Sequence, residues 1–171
     1  LGISLGVNLM PTTAKLCSFD CVYCECGWNQ PVLHPQLPTR EQVRKALASS
    51  LISQSSDNPI DVITFSGNGE PTMHPDFEGV IDDTLALRDE LCPSAKVSVL
   101  SNATQIHRED VRRALMRVDN NILKLDSAFD STVQLVNKPQ GSYSVAHTVE
   151  LLKLFEGNLI IQTMFLRGEY A

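Results

Sequence analysis

The chain has 171 residues, a size that fits one ordinary domain and gives no reason to expect two. Hydrophobic residues make up 43% and charged residues 20% of it, which excludes disordered, collagen-like and coiled-coil proteins as classes. The net charge of −6 disfavours broad electrostatic binding to nucleic acid or to an anionic membrane. No apolar run reaches the roughly 20 residues that a bilayer-spanning helix needs.

The hydrophobic pattern predicts short strands that alternate with longer helices. A first helix is predicted to begin after Thr39, where Gln42 completes a capping box, and a second near Pro75. Two more helices are predicted over 108–118 and 144–155. The predicted strands are 3–9, 61–66, 97–100, 122–125 and 159–166. This alternation favours an α/β fold with a parallel sheet. An open doubly wound sheet and a piece of a barrel are equally compatible with it.

Four of the five cysteines fall in one loop, residues 10–38, at Cys17, Cys21, Cys24 and Cys26. Tight cysteine clusters in globular chains hold metal more often than disulfides, so we expect a reducing, cytoplasmic setting. Three thiolates at the spacing of Cys17, Cys21 and Cys24 can bind a 4Fe-4S cluster and leave one iron without a protein ligand. The alternative is that Cys26 supplies a fourth ligand and closes a structural zinc site or an electron-transfer cluster.

A glycine-rich turn, residues 67–71 with the sequence Gly-Asn-Gly-Glu-Pro, follows the second predicted strand. Parallel α/β sheets bind ligands at the carboxyl ends of their strands, so this turn stands where a functional site is expected. Glycine lets the backbone approach a ligand closely, although a plain tight turn is an alternative. Phosphate binding is disfavoured because the turn has no Gly-Lys-Ser/Thr and contains Glu70.

The run from Cys17 to Cys24, Cys-x3-Cys-x-Tyr-Cys, resembles the CxxxCxΦC signature of the radical S-adenosylmethionine superfamily. This resemblance implies a 4Fe-4S cluster whose protein ligands are Cys17, Cys21 and Cys24. It also implies that S-adenosyl-L-methionine binds the fourth iron through its amino and carboxylate groups. The glycine-rich turn resembles the GGEP motif of the same family, with Asn68 in place of a glycine, and the two motifs stand in the family's order.

The resemblance further implies which residues bind the cofactor. Tyr23 would lie beside the adenine, and in the turn Glu70 and backbone carbonyls would accept hydrogen bonds from the ammonium group. Asn102 resembles the family's Thr-Asn-Gly stretch, with an Asn-initiated turn as the alternative. Asp126 is expected to face the barrel mouth, with helix capping as the alternative. The predicted cofactor contacts are Tyr23, Gly67, Asn68, Gly69, Glu70, Asn102 and Asp126.

The family core is a partial (β/α)6 TIM-like barrel, and about five of its parallel strands are predicted here. A complete eight-stranded barrel typically needs about 250 residues. We therefore expect residues 1–171 to be a radical core domain that lacks the last β/α unit and any C-terminal substrate domain. Strand five would then be an exposed apolar edge.

The resemblance implies an oxidoreductase that cleaves S-adenosylmethionine reductively to a 5′-deoxyadenosyl radical, with an electron donor of the flavodoxin or ferredoxin type. Segments 4–9 and 24–28 look most like iron–sulfur oxidoreductases related to tRNA wyosine-base synthases. The alternative within the family is a glycyl-radical-enzyme activase or a peptide maturase. The substrate class is therefore left undecided between a small molecule, RNA and protein. No membrane partner is expected. A function of another class, a non-catalytic four-cysteine metal or electron-transfer module, requires Cys26 as a ligand.

Overall fold

The computed structural model describes residues 2–30, 35–54 and 59–168. Five strands lie within them: β1 (Ser4–Val7), β2 (Val62–Phe65), β3 (Lys96–Ser101), β4 (Asn120–Lys124) and β5 (Ile160–Gln162). The helices there are α1 (Arg40–Ile52), α2 (Phe77–Leu91), α3 (Glu109–Leu115), α4 (Asp130–Val136) and α5 (Val145–Lys153). No helix among these residues is long and apolar enough to cross a bilayer.

The five strands form one parallel sheet in the order β1-β2-β3-β4-β5. Phe65 of β2 pairs with Val7 on one side and Val99 on the other, and Leu123 of β4 pairs with Ile161 of β5. A doubly wound sheet reverses its strand order at a switch point, whereas this order runs in one direction. Of the two arrangements that the pattern allowed, the partial barrel is therefore confirmed.

Helix α1 begins at the predicted capping box. Thr39 N donates to Gln42 Oε1 at 2.8 Å, and Gln42 N donates to Thr39 Oγ1 at 3.2 Å. Val43, Leu47 and Leu51 of α1 are buried at helical spacing, so this face covers the sheet. Helices α1, α2 and α3 pack side by side in chain order.

The core lies between these helices and one face of the sheet. Alternate residues of the central strands, such as Ile63, Phe65, Val97 and Val99, are fully buried there. The strand positions between them face the interior of the partial barrel and are mostly polar or half-buried. The predicted site residues lie in the loops that follow the carboxyl ends of the strands.

Most predicted elements differ in length from those in the structure by one to four residues, and the larger departures are at α4 and β5. Helix α4 lies where the hydrophobic pattern predicted no helix or strand. Its apolar residues do not follow a clear helical spacing, and its N-cap, Phe129, makes no side-chain hydrogen bond to the first turn. Strand β5 is shorter than predicted and lies at the sheet edge, with Ile160 49% and Ile161 45% exposed. The exposed apolar edge that we expected at strand five is thus present in the described residues.

Candidate functional site

The cysteine loop and the glycine-rich turn are joined backbone to backbone. Leu16 N donates to Asn68 O at 2.9 Å, and Glu70 N donates to Leu16 O at 3.1 Å. Gly69 has a φ of 144°, and a Cβ built there would lie 1.7 Å from Leu16 O. Only glycine permits this approach, so the two motifs belong to one site.

Asn8, just after β1, holds the turn from the other side. Its Oδ1 accepts hydrogen bonds from Met10 N at 3.0 Å and from Asn68 N at 3.2 Å. Asn68 Nδ2 donates to Pro11 O at 3.2 Å. The Asn68 side chain therefore holds the start of the cysteine loop.

Three of the four loop cysteines open into one cavity. It has a volume of about 270 Å³, and among the residues that line it are Cys17, Cys21, Cys24, Tyr23, Gly67, Gly69, Glu70 and Asn102. Cys26 lies outside this lining and is exposed, and its Sγ donates to Gly67 O at 3.3 Å. All five cysteines are free thiols. Three of the four candidate ligands thus line the cavity, and Cys26 stands beside it, in contact with Gly67 and with the Cys24 side chain.

The surroundings of these thiols fit an iron–sulfur cluster. Asn102 Nδ2 lies 3.4 Å from Cys17 Sγ, and Asn137 Nδ2 lies 3.3 Å from Cys21 Sγ. Phe19 N donates to Cys17 Sγ at 3.5 Å. Soft thiolates whose sulfurs accept N–H donors are the usual protein ligands of such clusters.

The described residues hold no ready-made site for a single metal ion.

A buried ammonium lies beside the thiols. Lys15 Nζ donates to Asp20 Oδ1 at 3.1 Å and to Gly27 O at 2.9 Å. Burial lowers the pKa of Lys15, but the hydrogen bond to Asp20 and the neighbouring thiols Cys24 and Cys17 outweigh it, so the pKa is raised. Burial also raises the pKa of Cys17 to about 12. A positive charge in this position offsets the negative charge of bound thiolates.

Asn29 fixes the shape of the cysteine loop. Its Oδ1 accepts from Cys17 N at 2.9 Å, and its Nδ2 donates to Cys17 O at 2.9 Å and to Phe19 O at 3.2 Å. Asn29 N in turn donates to Asp20 Oδ1 at 2.8 Å. Sequence reasoning missed this residue, because an asparagine that closes a long loop carries no periodic or motif signal.

Glu70 is 2% exposed, and both of its carboxylate oxygens are engaged by the chain itself. Oε1 accepts from Thr72 N at 3.1 Å and from Thr72 Oγ1 at 2.5 Å, and Oε2 accepts from Asn102 N at 2.6 Å. Burial raises the pKa of Glu70, and these hydrogen bonds oppose that rise. Glu70 therefore connects the ends of β2 and β3 at the wall of the cavity.

Asn102 forms the Asn-initiated turn and also contacts the cysteine loop. Its Oδ1 accepts from Thr104 N at 3.0 Å, while its Nδ2 donates to Ser18 Oγ at 2.9 Å and approaches Cys17 Sγ. The structure therefore shows the turn that was the alternative for this residue, with the amide nitrogen on the side of the thiol, and the cofactor contact stays a prediction.

Asp126 and Tyr23 form a hydrogen-bonded pair at the end of β4. Tyr23 OH donates to Asp126 Oδ2, and Met164 N donates to Asp126 Oδ1 at 2.9 Å. Burial, followed by this hydrogen bond to the carboxylate, raises the pKa of Tyr23. Lys124 Nζ lies 5.1 Å from the centroid of the Tyr23 ring. Asp126 does not cap α4, whose N-cap is Phe129.

Solved structures share this fold. "Native anSMEcpe with bound AdoMet" superposes with a TM-score of 0.65 and 17% identity over 94% of this chain and 43% of that chain. "SuiB" of Streptococcus suis bound to S-adenosylmethionine gives a TM-score of 0.63 and 15% identity over 95% of this chain and 32% of that chain. At these identities the likeness establishes the fold, a partial α/β barrel.

No protein-family model matches the chain. It is 31% identical to UPF0026 protein MJ1312 of Methanocaldococcus jannaschii, over 97% of this chain and 51% of the relative. It is 27% identical to a UPF0026 protein of Helicobacter pylori, over 98% of this chain and 53% of the relative. The chain thus spans about half the length of these curated relatives.

Proposed function

We propose that the chain is the core of a radical S-adenosylmethionine enzyme. The observation that carries this proposal is that Cys17, Cys21 and Cys24 line one cavity with the glycine-rich turn while Cys26 lies outside it. Three thiolate ligands leave one iron of a 4Fe-4S cluster for a small molecule. The likeness in fold to two proteins with bound AdoMet supports the same cofactor here.

When bound, the cluster supplies the electron that cleaves S-adenosylmethionine reductively to a 5′-deoxyadenosyl radical. The chain's own residues hold and shield the reactants. Gly67 and Gly69 line the cavity with backbone atoms alone, so a ligand there can approach the backbone. Phe19 and Leu100 add apolar surface to the lining and exclude water.

We propose that Tyr23 and the glycine-rich turn, which both line the cavity, bind different parts of the cofactor. Lys124 covers one face of the Tyr23 ring, which leaves the other face for the adenine. The glycine-rich turn would receive the amino group through backbone carbonyls and the Glu70 carboxylate, whose two oxygens also accept hydrogen bonds from Thr72 and Asn102. Glu70 then acts by fixing the turn and by its negative charge.

For the substrate we propose a tRNA base, because segments 4–9 and 24–28 look most like the tRNA wyosine-base family. A peptide is the second candidate, supported by the shared fold of anSMEcpe bound to AdoMet and the Cp18Cys peptide. Arg113 of α3 and Arg117, two residues after its end, pair with Glu78 and Asp82 of α2, so these two arginines offer RNA little uncompensated charge. The proposed electron donor is a flavodoxin or ferredoxin, in the cytoplasm.

The test is anaerobic reconstitution with iron and sulfide, followed by dithionite and S-adenosylmethionine. We expect release of 5′-deoxyadenosine and methionine. Cys24→Ala should abolish cluster binding, and Cys26→Ala, the matched change two residues away, should keep iron content, sulfide content and product.

Two outcomes would count against the proposal. If Cys26→Ala loses the cluster as completely as Cys24→Ala, the four-cysteine module is the better description. If the wild-type chain takes up a full cluster and binds the cofactor but releases no 5′-deoxyadenosine, the radical function is refuted.

A further inference from the structure

Asn137 contacts three groups of the proposed site at once. It is 1% exposed, and its Nδ2 lies 3.3 Å from Cys21 Sγ, 3.1 Å from Tyr23 OH and 2.6 Å from Asp126 Oδ2. In the sequence it stands 116 residues from Cys21, and no motif includes it. The side chain therefore joins a predicted iron ligand to the hydrogen-bonded pair at the end of β4.

The backbone on both sides of this contact is fixed. Asn137 is the C-cap of α4, and its N–H donates to Val133 O at 2.8 Å. Asp20 N donates to Asn137 O at 2.9 Å, and Val22 N donates to Val136 O at 2.8 Å. Because the residues before and after Cys21 both pair with the end of α4, the amide is held at a set distance from the sulfur.

The orientation of the amide follows from chemistry. An amide nitrogen donates and a carboxylate oxygen accepts, so the nitrogen of Asn137, and not its oxygen, faces Asp126 Oδ2. That nitrogen carries two protons and meets three acceptor atoms, of Asp126, Tyr23 and Cys21. The amide of Asn137 is buried, and its N–H groups, the positive end of its dipole, point at these oxygen and sulfur atoms.

We propose that Asn137 is a positioning residue that raises the reduction potential of the cluster bound by Cys21, an inference that rests on the proposed function. Reduction adds one electron, and part of the added negative charge lies on the sulfur ligands. An N–H donor to a ligand sulfur stabilises that charge and so favours the reduced state.

The experiment compares Asn137→Leu and Asn137→Asp with the wild-type chain after reconstitution. Redox titration followed by electron paramagnetic resonance gives the midpoint potential of each. We expect a shift to more negative potential for Asn137→Leu, which removes the donor. A larger negative shift is expected for Asn137→Asp, which replaces the donor by a charged acceptor of the same size.

Asn121→Leu is the matched control. Asn121 is also a buried asparagine, and its Nδ2 donates to Asn158 O at 3.2 Å, away from the thiols. It should keep the wild-type potential even if it lowers stability. Circular dichroism and iron content check that each variant is folded and loaded, and if Asn137→Leu does not fold, Asn137→Ala, which also removes the donor without adding a charge, carries the test.

The outcomes separate the two proposals. A purely packing role predicts a wild-type potential for Asn137→Leu, which removes the donor without adding a charge, and that result with a full cluster overturns the inference. A shift of equal size in Asn121→Leu also overturns it. A wild-type chain that takes up no iron and sulfide refutes the proposed function itself, and the role of Asn137 falls with it.

Discussion

Gly69→Ala is expected to separate the cysteine loop from the glycine-rich turn. The φ of 144° at Gly69 is costly for any residue with a Cβ, and the new carbon would lie 1.7 Å from Leu16 O. This oxygen belongs to the backbone, so it can move only if two hydrogen bonds are lost. They are Leu16 N to Asn68 O at 2.9 Å and Glu70 N to Leu16 O at 3.1 Å.

Each of these hydrogen bonds contributes about 1 kcal/mol net. A residue held at such a φ costs about 1–3 kcal/mol, so the free energy of unfolding should fall by about 3–5 kcal/mol. Urea denaturation of the metal-free protein under anaerobic conditions, followed by circular dichroism, measures the difference. Iron uptake should fall as well, because the loop that carries the thiols loses its attachment.

Gly6→Ala is the matched control, since no atom lies within 4 Å of a Cβ built at Gly6. We expect it to change the free energy of unfolding by less than about 0.5 kcal/mol. The reasoning is refuted if Gly69→Ala stays within about 1 kcal/mol of the wild type, or if both variants lose equal amounts.

Three further predictions concern groups around the cavity. Lys15→Met leaves the Asp20 carboxylate without its ammonium partner, and urea denaturation should show a free energy of unfolding lower by about 3 kcal/mol. Lys153→Met, which removes an exposed ion pair, is the control and should lower it by less than about 0.5 kcal/mol. Burial raises the pKa of Cys17 to about 12, so as the pH rises the unfolded chain loses the thiol proton at a lower pH than the folded chain does. The stability of the metal-free chain should therefore fall as the pH rises from about 9 towards about 12, and Cys17→Ser should remove that part of the slope. Tyr23→Phe takes a donor from a buried carboxylate and should cost about 1–3 kcal/mol in the same assay.

Each of these has an outcome that contradicts it. Equal losses in the two lysine variants would mean that burial of the ammonium contributes nothing. Stability curves for wild type and Cys17→Ser that run parallel in alkali would contradict the assigned pKa of Cys17. A Tyr23→Phe variant as stable as the wild type would show that the hydroxyl is dispensable.

The strands and the first helix could be predicted because their causes are local. Residues 62–65, Val-Ile-Thr-Phe, are β-prone over their whole length, and the capping box at Thr39 involves a residue only three positions away. The two motifs were also visible, since cysteine and glycine are required there for their chemistry and conformation. Their meeting follows from the rule that parallel strands gather their carboxyl ends at one edge.

Helix α4 and Asn137 could not be predicted, because what stabilises them is distant in the sequence. Thr132 and Val133 are β-branched and favour helix weakly, and Phe129 makes no side-chain cap. The end of the helix is instead held by backbone pairing with the cysteine loop, where Val22 N donates to Val136 O.

The sequence by itself determined the fold class and the residue types of the site, but it left open which cysteines share the cavity. Cys24 and Cys26 have the same side chain and stand two residues apart. In the structure Gly27 N donates to Cys24 O at 3.1 Å, which makes Cys26 a central residue of a tight turn and exposes it. The tertiary structure decided this point because a turn's direction depends on what the surrounding loop packs against.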